Sequence, residues 1–257
     1  MGLKDYYVAS IKGAIHTQCP DATIVDISHN VPPFDIAQAS FILRNTFGDF
    51  PAGTIHIISV NPEEDEQTEH LVVKHKGQYF IAADNGIFSL MFDGKPDEIF
   101  ALNISQDSDQ VTFPTKHLFV KAACHLARGG TPEVIGKKRD HIKELTHFRA
   151  VVEGNLIKGA VIFIDSYGNV VTNIDKATFG AAVKGRPFVI YLKSSRYEIR
   201  TIHNKYNDVP EGEKVALFGA GNFLEIAINR GVEGSGGGAN KLFGMKMYDT
   251  IRVEFNN

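Results

Sequence analysis

Two polar motifs in the C-terminal third of the chain combine residue types that bind a polar, partly aromatic metabolite. The first runs from Asp165 to Asn173 and the second from Gly219 to Gly231. The carboxylate of Asp165 is able to accept hydrogen bonds from an amine, and the amide of Asn169 offers a donor and an acceptor to a purine edge. A tight turn is the alternative, because Asp and Asn favour turns and Gly168 supplies a positive φ. The motifs therefore predict either a ligand pocket or a structural turn.

Other candidate groups indicate what kind of site to expect. Phe34 follows Val31-Pro32-Pro33 and is either a core residue or an aromatic wall for a sugar or base. The histidine spacings, five residues from His70 to His75 and six from His141 to His147, do not place two ligands on one helix face. Neither a nucleophile elbow nor a P-loop occurs in the sequence. The sequence therefore predicts no metal site.

The composition excludes several classes of protein. The chain has 257 residues, 43% hydrophobic and 22% charged, with a formal net charge of -3. These values are typical of a globular protein with a full core and disfavour nucleic-acid binding. No apolar run reaches the roughly 20 residues of a membrane span, and no signal peptide is visible. Cys19 and Cys124 form neither a disulfide framework nor a metal motif, so we expect reduced thiols in a cytoplasmic protein.

The secondary structure that must position these groups is predicted to change near residue 147, from alternating strands and helices to mostly strands. Over residues 1–147 strands and helices alternate, which predicts an α/β domain with a largely parallel or mixed sheet. Strands are expected at Ala22–Ile27 and Thr54–Val60, with a hairpin around Lys76-Gly77. Helices are expected at three further segments. They are Lys4–Cys19, Asp35–Phe47 and Leu118–Arg128.

Residues 148–257 contain mostly short strand patterns separated by turn signals. This arrangement predicts an all-β domain, an antiparallel barrel. The expected strands are Ala150–Val152, Leu156–Ile164, Val170–Ile174, Phe188–Leu192, Tyr197–Ile202, Val215–Phe218, Leu224–Ile228 and Thr250–Phe255.

The chain resembles a known family over nearly its whole length. Taken together, six segments are similar to the S-adenosyl-L-methionine (SAM) hydroxide adenosyltransferases, the family that also contains the fluorinating and chlorinating adenosyltransferases. The resemblance implies an α/β domain followed by a β-barrel, in agreement with the patterns above. It also implies a homotrimer with active sites between subunits. The six segments are Asp5–Gly13, Pro20–His29, Val31–Asp35, Asp84–Gly86, Asp165–Asn173 and Gly221–Gly231.

The resemblance implies that a nucleophile attacks the 5′ carbon of the ribose of SAM and expels methionine. With water or hydroxide as the nucleophile, the products are adenosine and L-methionine. By similarity, Asp5, Tyr7 and Asp165 surround the methionine end, and Asp165 binds its amine. Phe34 lines the ribose.

The remaining roles implied by the resemblance concern the base and the nucleophile. Tyr167 and Asn169 contact the adenine, which Asn229 and Arg230 also approach. Thr115 stands where fluorinating relatives place a serine that donates to the halide. SAM is thus a substrate, and no separate cofactor is implied.

The sequence departs from the family at the group proposed to handle water. Family hydrolases have Asp, Arg and His there, whereas this chain has Asn61, Thr68 and Pro114. None of these three side chains lowers the pKa of a water molecule. Lys116 and His117 are close in sequence and are candidates to compensate. The family also begins with a strand ending in Thr-Asp-Phe-Gly, whose Asp binds the ribose hydroxyls, and we expect that strand to be missing from this sequence.

Four functions therefore remain open at the level of sequence. The first is a SAM hydrolase that forms adenosine, with Asn61, Thr68 and Thr115 as catalytic candidates. The second is a halide adenosyltransferase, since Thr115 offers a donor. The third is a catalytically weak protein that binds SAM or adenosine. The fourth is a two-domain protein whose motifs are only turns.

Overall fold

A computed structural model describes residues 2–63, 65, 68–104, 112–146, 148–193, 197–231 and 237–256. The chain divides into two compact units, Met1–Thr146 and His147–Asn257. Among the described helices, none combines the length and apolar character needed to span a bilayer.

The first unit is built on a mixed sheet, as predicted. Within the described residues this sheet has five strands in the order β1-β3-β2-β4-β5. β1 pairs with β3 in parallel, and the other neighbours are antiparallel. The strands are β1 (Ile55–Ile57), β2 (His70–His75), β3 (Gln78–Ala83), β4 (Glu98–Leu102) and β5 (Gly136–Arg139).

The hairpin of β2 and β3 forms the centre of this sheet and confirms the predicted turn. Lys76 and Gly77 both have positive φ, 50° and 75°, which suits a two-residue hairpin turn. Val72 and Ile81 pack on one face, whereas Val73 and Phe80 pack on the other. A strand buried on both faces requires a continuous apolar sequence, which β2 and β3 provide.

Helices cover both faces of the sheet. α2 begins where its capping residue predicts, because Asp35 accepts a hydrogen bond from the backbone N–H of Gln38 at 2.9 Å. The predicted helix at Leu118–Arg128 is preceded by one π-helical turn, Thr115–Phe119, a geometry frequent at functional sites. The helices are α1 (Tyr7–Gln18), α2 (Ile36–Arg44), α3 (Ile87–Met91), α4 (Val120–Ala127) and α5 (Pro132–Ile135).

The predicted strand Ala22–Ile27 was wrong as an assignment of secondary structure. The segment is not part of any strand, and Val25 is 60% exposed. The second predicted strand, Thr54–Val60, is shortened to β1 and lies at the sheet edge. A segment with strand propensity forms a strand only when a neighbouring backbone supplies hydrogen-bond partners. Ala22–Ile27 has no such neighbour, and β1 has one on a single side.

The second unit is a mostly antiparallel half-barrel sheet, which confirms the predicted β class. Its main strand order is β10-β9-β14-β7-β8-β13-β12-β11, with β6 beside β7. One pair, β11 with β12, is parallel. Two helices that the sequence patterns did not predict, α6 (Lys176–Val183) and α7 (Ala239–Leu242), also belong to this unit. The strands are β6 (Val151–Glu153), β7 (Leu156–Ile164), β8 (Val170–Asp175), β9 (Phe188–Tyr191), β10 (Glu198–Ile199), β11 (Ile202–His203), β12 (Lys214–Phe218), β13 (Phe223–Ile228) and β14 (Thr250–Phe255).

Two buried histidines in the first unit should make its stability sensitive to acid. Burial lowers the pKa of His56 and of His75, and neither ring nitrogen of His75 has a hydrogen-bond partner among the described residues. Below the unfolded value of about 6.5, the unfolded chain binds protons that the folded chain does not. The free energy of unfolding should therefore fall as pH drops from about 6.5, by up to about 1.4 kcal/mol per pH unit for each histidine.

The substitution His75→Phe tests this expectation, because it keeps an aromatic ring against Phe92, 4.2 Å away between ring centroids. Urea unfolding at pH 7.5 and pH 5.5 should show a smaller loss of stability in the variant than in the wild type. Equal losses in the two proteins would assign the acid sensitivity to other groups.

Candidate functional site

A pair of hydroxyl groups, one buried and one half-buried, lies just beyond the carboxyl end of β1. The Oγ of Ser59 is 2.5 Å from the Oγ1 of Thr115, which is 1% exposed and opens the π-helical turn. Carboxyl ends of strands are the usual position of ligand sites in open α/β sheets. The family resemblance implied that Thr115 is a donor, whereas no sequence signal indicated Ser59, because only the fold brings the two hydroxyls together.

Tyr7 connects the start of α1 to the same region. Its ring meets the ring of Phe113 edge to face, with centroids 5.2 Å apart, and Phe113 lies two residues before Thr115. Asp5 accepts a hydrogen bond from the backbone N–H of Tyr7 at 3.3 Å. The structure thus places Asp5 and Tyr7 beside the segment that contains Thr115.

The loop after β1 carries Asn61 and Thr68, two of the positions that differ from the family hydrolases. Asn61 has a left-handed backbone, with φ 48°. The side-chain amide of Asn85 donates to the carbonyl oxygens of Val60 and Asn61, both at 3.0 Å. The ring nitrogen Nε2 of His70 lies 2.7 Å from the carbonyl oxygen of Pro62. Side chains at the start of β2 and just after β3 therefore hold the backbone of residues 60–62 in place.

These supporting residues were not assigned roles from the sequence. Asn85 belongs to the segment Asp84–Gly86, one of the six that carry the resemblance. Its place in this segment was the sequence signal that could have indicated a role for Asn85. His70 gave no signal, because its partner is a backbone carbonyl. Thr68 is buried, and its backbone pairs with that of Asp65.

Phe34 is a surface residue, which excludes its alternative assignment to the core. It is 71% exposed and has φ 64°. A bulky residue in the left-handed region is uncommon and costs of order 1–3 kcal/mol. A strained, exposed aromatic ring is available to contact a ligand.

In the second unit, Asp165 organises a tight turn between β7 and β8. Its Oδ1 accepts from the backbone N–H groups of Tyr167 and Asn169, both at 2.9 Å, and its Oδ2 accepts from the Asn169 side chain at 3.0 Å. Gly168 has φ 79°, as the turn requires. Tyr167 is exposed, whereas Asn169 is buried. The turn geometry is present, and it leaves Asp165 with oxygens that are already hydrogen-bonded.

Asn229 and Arg230 lie at the end of β13. The side chain of Asn229 donates to the carbonyl oxygen of Val209 at 2.7 Å, and Arg230 pairs with Glu211 at 3.1 Å. Arg230 has φ 58° and is exposed. These contacts hold the Val209–Glu213 segment beside the strand, a structural task that sequence reasoning did not foresee.

A buried carboxylate near Asp165 was missed in the sequence analysis. Glu225 on β13 is 7% exposed and accepts a hydrogen bond from the hydroxyl of Tyr206 at 2.7 Å. Burial raises the pKa of Glu225, the hydrogen bond from Tyr206 lowers it, and the charge of Asp165 raises it. Burial also raises the pKa of the Tyr206 hydroxyl. Two carboxylates that repel each other create a negative potential suited to a cation.

The substitution Tyr206→Phe removes the hydrogen bond to Glu225 and should destabilise the protein at pH 7. A buried carboxylate left without its donor costs about 1–3 kcal/mol. Because the folded-state pKa of Glu225 is already raised, the variant should raise it further and favour the protonated form. The loss of stability should therefore be larger at pH 7 than at pH 5, as measured by chemical denaturation. A loss of the same size at both pH values would mean that the hydroxyl does not interact with a charged Glu225.

No cluster of three or more His, Cys, Asp or Glu side chains that could hold a metal ion occurs in the described part of the chain. The chemical inventory consists instead of hydroxyls, amides, aromatic rings and two neighbouring carboxylates. This inventory suits binding and orientation of an organic cation.

Comparison with known proteins identifies the family. Residues 1–136 match the SAM hydroxide adenosyltransferase N-terminal domain, and residues 159–252 match the C-terminal domain of the same family. A solved structure described as an uncharacterized conserved protein from Thermotoga maritima is 29% identical. It has a TM-score of 0.83, covering 98% of this chain and 96% of that chain. A second, a conserved hypothetical protein from Thermus thermophilus, is 26% identical with a TM-score of 0.72, covering 98% of this chain and 95% of that chain.

Named relatives agree with this assignment. An (R)-S-adenosyl-L-methionine hydrolase of Thermus thermophilus is 30% identical over 244 residues, covering 90% of this chain and 89% of the relative. A fluorinase of an Actinoplanes species is 23% identical over 208 residues, covering 68% of this chain and 70% of the relative. The chain therefore belongs to the SAM hydroxide adenosyltransferase family.

Proposed function

We propose that this protein catalyses the attack of water or hydroxide on the 5′ carbon of the ribose of SAM, giving adenosine and L-methionine. The observation that carries the proposal is the match of both domains to one family, residues 1–136 and 159–252. The named hydrolase relative, 30% identical over 90% of this chain, supports the same reaction.

The chemistry requires few titratable groups. The sulfonium of SAM leaves as a neutral thioether, so no general acid is needed. The protein must align the nucleophile with the carbon–sulfur bond and replace its hydration with fixed dipoles. The paired hydroxyls of Ser59 and Thr115 are such dipoles, and the burial of Thr115 keeps its hydroxyl from bulk water.

Where family hydrolases have Asp, Arg and His, this chain has the neutral residues Asn61, Thr68 and Pro114. We propose that Asn61, Thr68 and Thr115 orient the nucleophile by hydrogen bonding and that none acts as a base. The neutral side chains of Asn61 and Thr68, and the hydrogen bonds that hold the backbone at Asn61, are consistent with orientation.

Substrate binding is assigned to both units. We propose that Asp5, Tyr7 and Asp165 bind the methionine end, with the amine near Asp165, where the neighbouring charge of Glu225 adds attraction for a cation. The exposed rings of Phe34 and Tyr167 are proposed to contact the ribose and adenine, respectively. Asn169, Asn229 and Arg230 complete the base site, and their amide and guanidinium groups supply the donors that a purine edge needs.

A halide adenosyltransferase is the second candidate. The buried hydroxyl of Thr115 favours it, because a desolvated donor suits a halide as well as a hydroxide. Fluorinases among the relatives support the same possibility. A protein that binds SAM without turnover is the third candidate.

Incubation with SAM in buffers with and without chloride, followed by chromatography of the products, separates the three candidates. Adenosine and methionine in both buffers are the expected result. A 5′-halo-adenosine formed only with halide would replace the hydrolase by the halide enzyme. Intact SAM that stays bound would leave a binding protein.

The assembly is proposed to be a homotrimer in the cytoplasm, with each site formed by the first unit of one subunit and the second unit of its neighbour. The two free, buried cysteines agree with a reducing compartment. Mixing unfolded Thr115→Val and Asp165→Asn chains in equal amounts and refolding them tests the shared site. In such heterologous contacts, about one quarter of the sites should carry both intact halves. At SAM concentrations too low to fill sites with Asp165→Asn, activity should therefore rise above that of either variant alone. Mixtures as inactive as the separate variants would place both residues in the same subunit's site.

A further inference from the structure

Three consecutive backbone carbonyl groups, those of Val60, Asn61 and Pro62, accept hydrogen bonds from two side chains. The side-chain amide nitrogen of Asn85 donates to the carbonyl oxygens of Val60 and Asn61, both at 3.0 Å. The ring nitrogen Nε2 of His70 lies 2.7 Å from the carbonyl oxygen of Pro62 and is the donor, since a carbonyl oxygen only accepts. Both donor side chains are buried, so bulk water does not compete for these hydrogen bonds.

The orientation of the Asn85 amide is fixed by a further contact. Its oxygen accepts a hydrogen bond from the backbone N–H of Ile87, the first residue of α3, at 3.2 Å. The amide nitrogen therefore faces two acceptors and the amide oxygen faces a donor, an arrangement that a flipped amide would not satisfy. The left-handed turn at Asn61 is thus attached to the start of a helix.

His70 also contacts the segment that presents Thr115. Its ring meets the ring of Phe119 edge to face, with centroids 5.0 Å apart. Phe119 is the last residue of the π-helical turn, and Thr115 is the first. His70 therefore contacts both segments that carry candidate nucleophile-orienting groups, the segment of Asn61 by a hydrogen bond and the segment of Thr115 by its ring.

A site without a base depends on geometry. The neutral side chains of Asn61 and Thr115 do not increase the fraction of hydroxide, so their contribution to the rate must come from alignment of the nucleophile. Misplacement of a reacting group by about 1 Å costs about 100-fold in rate. The left-handed backbone at Asn61, with φ 48°, is strained and persists only where the surrounding structure holds it. Donors that hold the carbonyl groups on both sides of this residue meet that requirement.

We propose that His70 and Asn85 are positioning residues for the reaction. They keep the segment Val60–Pro62 at a fixed distance from the π-helical turn, so that Asn61 and Thr115 meet the nucleophile together. Both act through the backbone of this segment and not by contact with the substrate. This role rests on the proposed function, because it assigns the two side chains to the same reaction.

The variants His70→Phe and His70→Gln separate positioning from stability. Phenylalanine keeps an aromatic ring against Phe119 and removes the donor, whereas glutamine keeps a donor of similar reach and removes the ring. His70→Phe should lower kcat for SAM by about 10- to 100-fold with KM changed by less than about threefold. His70→Gln should regain at least about one third of the wild-type kcat.

His75→Phe is the matched control, because it makes the same exchange at the other end of β2. Neither ring nitrogen of His75 has a hydrogen-bond partner among the described residues, so kcat should stay within about twofold of the wild type. Urea unfolding of all three variants shows whether turnover merely follows stability. Values of kcat that fall in step with the urea midpoints would overturn the proposal, and so would an unchanged kcat in His70→Phe.

Backbone order parameters from nitrogen-15 relaxation give a readout that needs no turnover. Without substrate, the order parameter at Asn61 should fall from about 0.85 to below about 0.6 in His70→Phe and should stay high in His70→Gln and His75→Phe. An unchanged value in His70→Phe would overturn the proposal. A wild-type protein that leaves SAM unconverted with and without chloride, while His70→Phe still loosens Asn61, would overturn the proposed reaction and leave the hold on this segment supported.

Discussion

Replacing Asp165 by Asn is expected to weaken SAM binding by about 10- to 100-fold while adenosine binding changes by less than about twofold, because one hydrogen bond to a charged group contributes about 1.5–3 kcal/mol. The substitution is isosteric. Its remaining Oδ1 still accepts from the N–H groups of Tyr167 and Asn169, so the turn between β7 and β8 is preserved. The substitution removes the negative charge that faces the amine and the Oδ2 acceptor of the Asn169 side chain, while both backbone hydrogen bonds of the turn remain. Isothermal titration with each ligand measures the two affinities.

The variant Asp165→Ala is the matched control for the turn. It removes the charge and the acceptor together, so it should loosen the turn and weaken both ligands. If Asp165→Asn also weakens SAM and adenosine equally, Asp165 does not bind the amine and its role is the turn alone. The contrast separates the two interpretations that the sequence leaves open at this position.

Replacing Thr115 by Val should lower the turnover of SAM by about 100-fold with little change in SAM affinity, the typical effect of removing one preorganised donor from a reacting centre. Valine has nearly the same shape but lacks the hydroxyl that pairs with Ser59 at 2.5 Å. Thr115 is buried against the core, so the folded structure should accept the exchange at a cost of about 1–3 kcal/mol for the unpaired partner. Single-turnover kinetics separate the chemical step from binding.

The variant Ser59→Ala is the control for the hydroxyl pair. It removes the partner and leaves the Thr115 hydroxyl in place. If Thr115 is the donor to the nucleophile, Ser59→Ala should reduce turnover less than Thr115→Val does. Unchanged turnover in Thr115→Val would exclude this hydroxyl from the reaction, and a matching loss of SAM affinity would make it a binding group instead.

Local signals in the sequence were sufficient for elements whose stability is decided by nearby residues. The helix predicted at Asp35–Phe47 contains α2, which Asp35 caps, and Lys76-Gly77 predicted the hairpin of β2 and β3. Thr250–Phe255 was predicted with the bounds that β14 has in the structure. Each depends on periodicity, a cap or a turn, which are properties of adjacent residues.

Sequence patterns did not predict the hydrogen-bonded pairs of residues in the candidate site. Ser59 and Thr115 are 56 residues apart in the chain, and Tyr206 and Glu225 are 19 apart. Nothing in the local sequence of either partner indicates the other. Asn85 illustrates the same limit, since its partners are backbone carbonyls that any sequence would supply.

The sequence by itself determined the family, the α/β and β classes of the two units, and the candidate ligand residues, because motifs and hydrophobic periods are carried by residue type and spacing. Only the tertiary structure decided that Ala22–Ile27 has no strand partners, that a π-helical turn presents Thr115 to Ser59, and that Glu225 lies buried near Asp165. A residue's propensity is local, whereas a ladder, a hydroxyl pair and a buried charge each need a second group from elsewhere in the chain. Such a pairing exists only once the chain has folded.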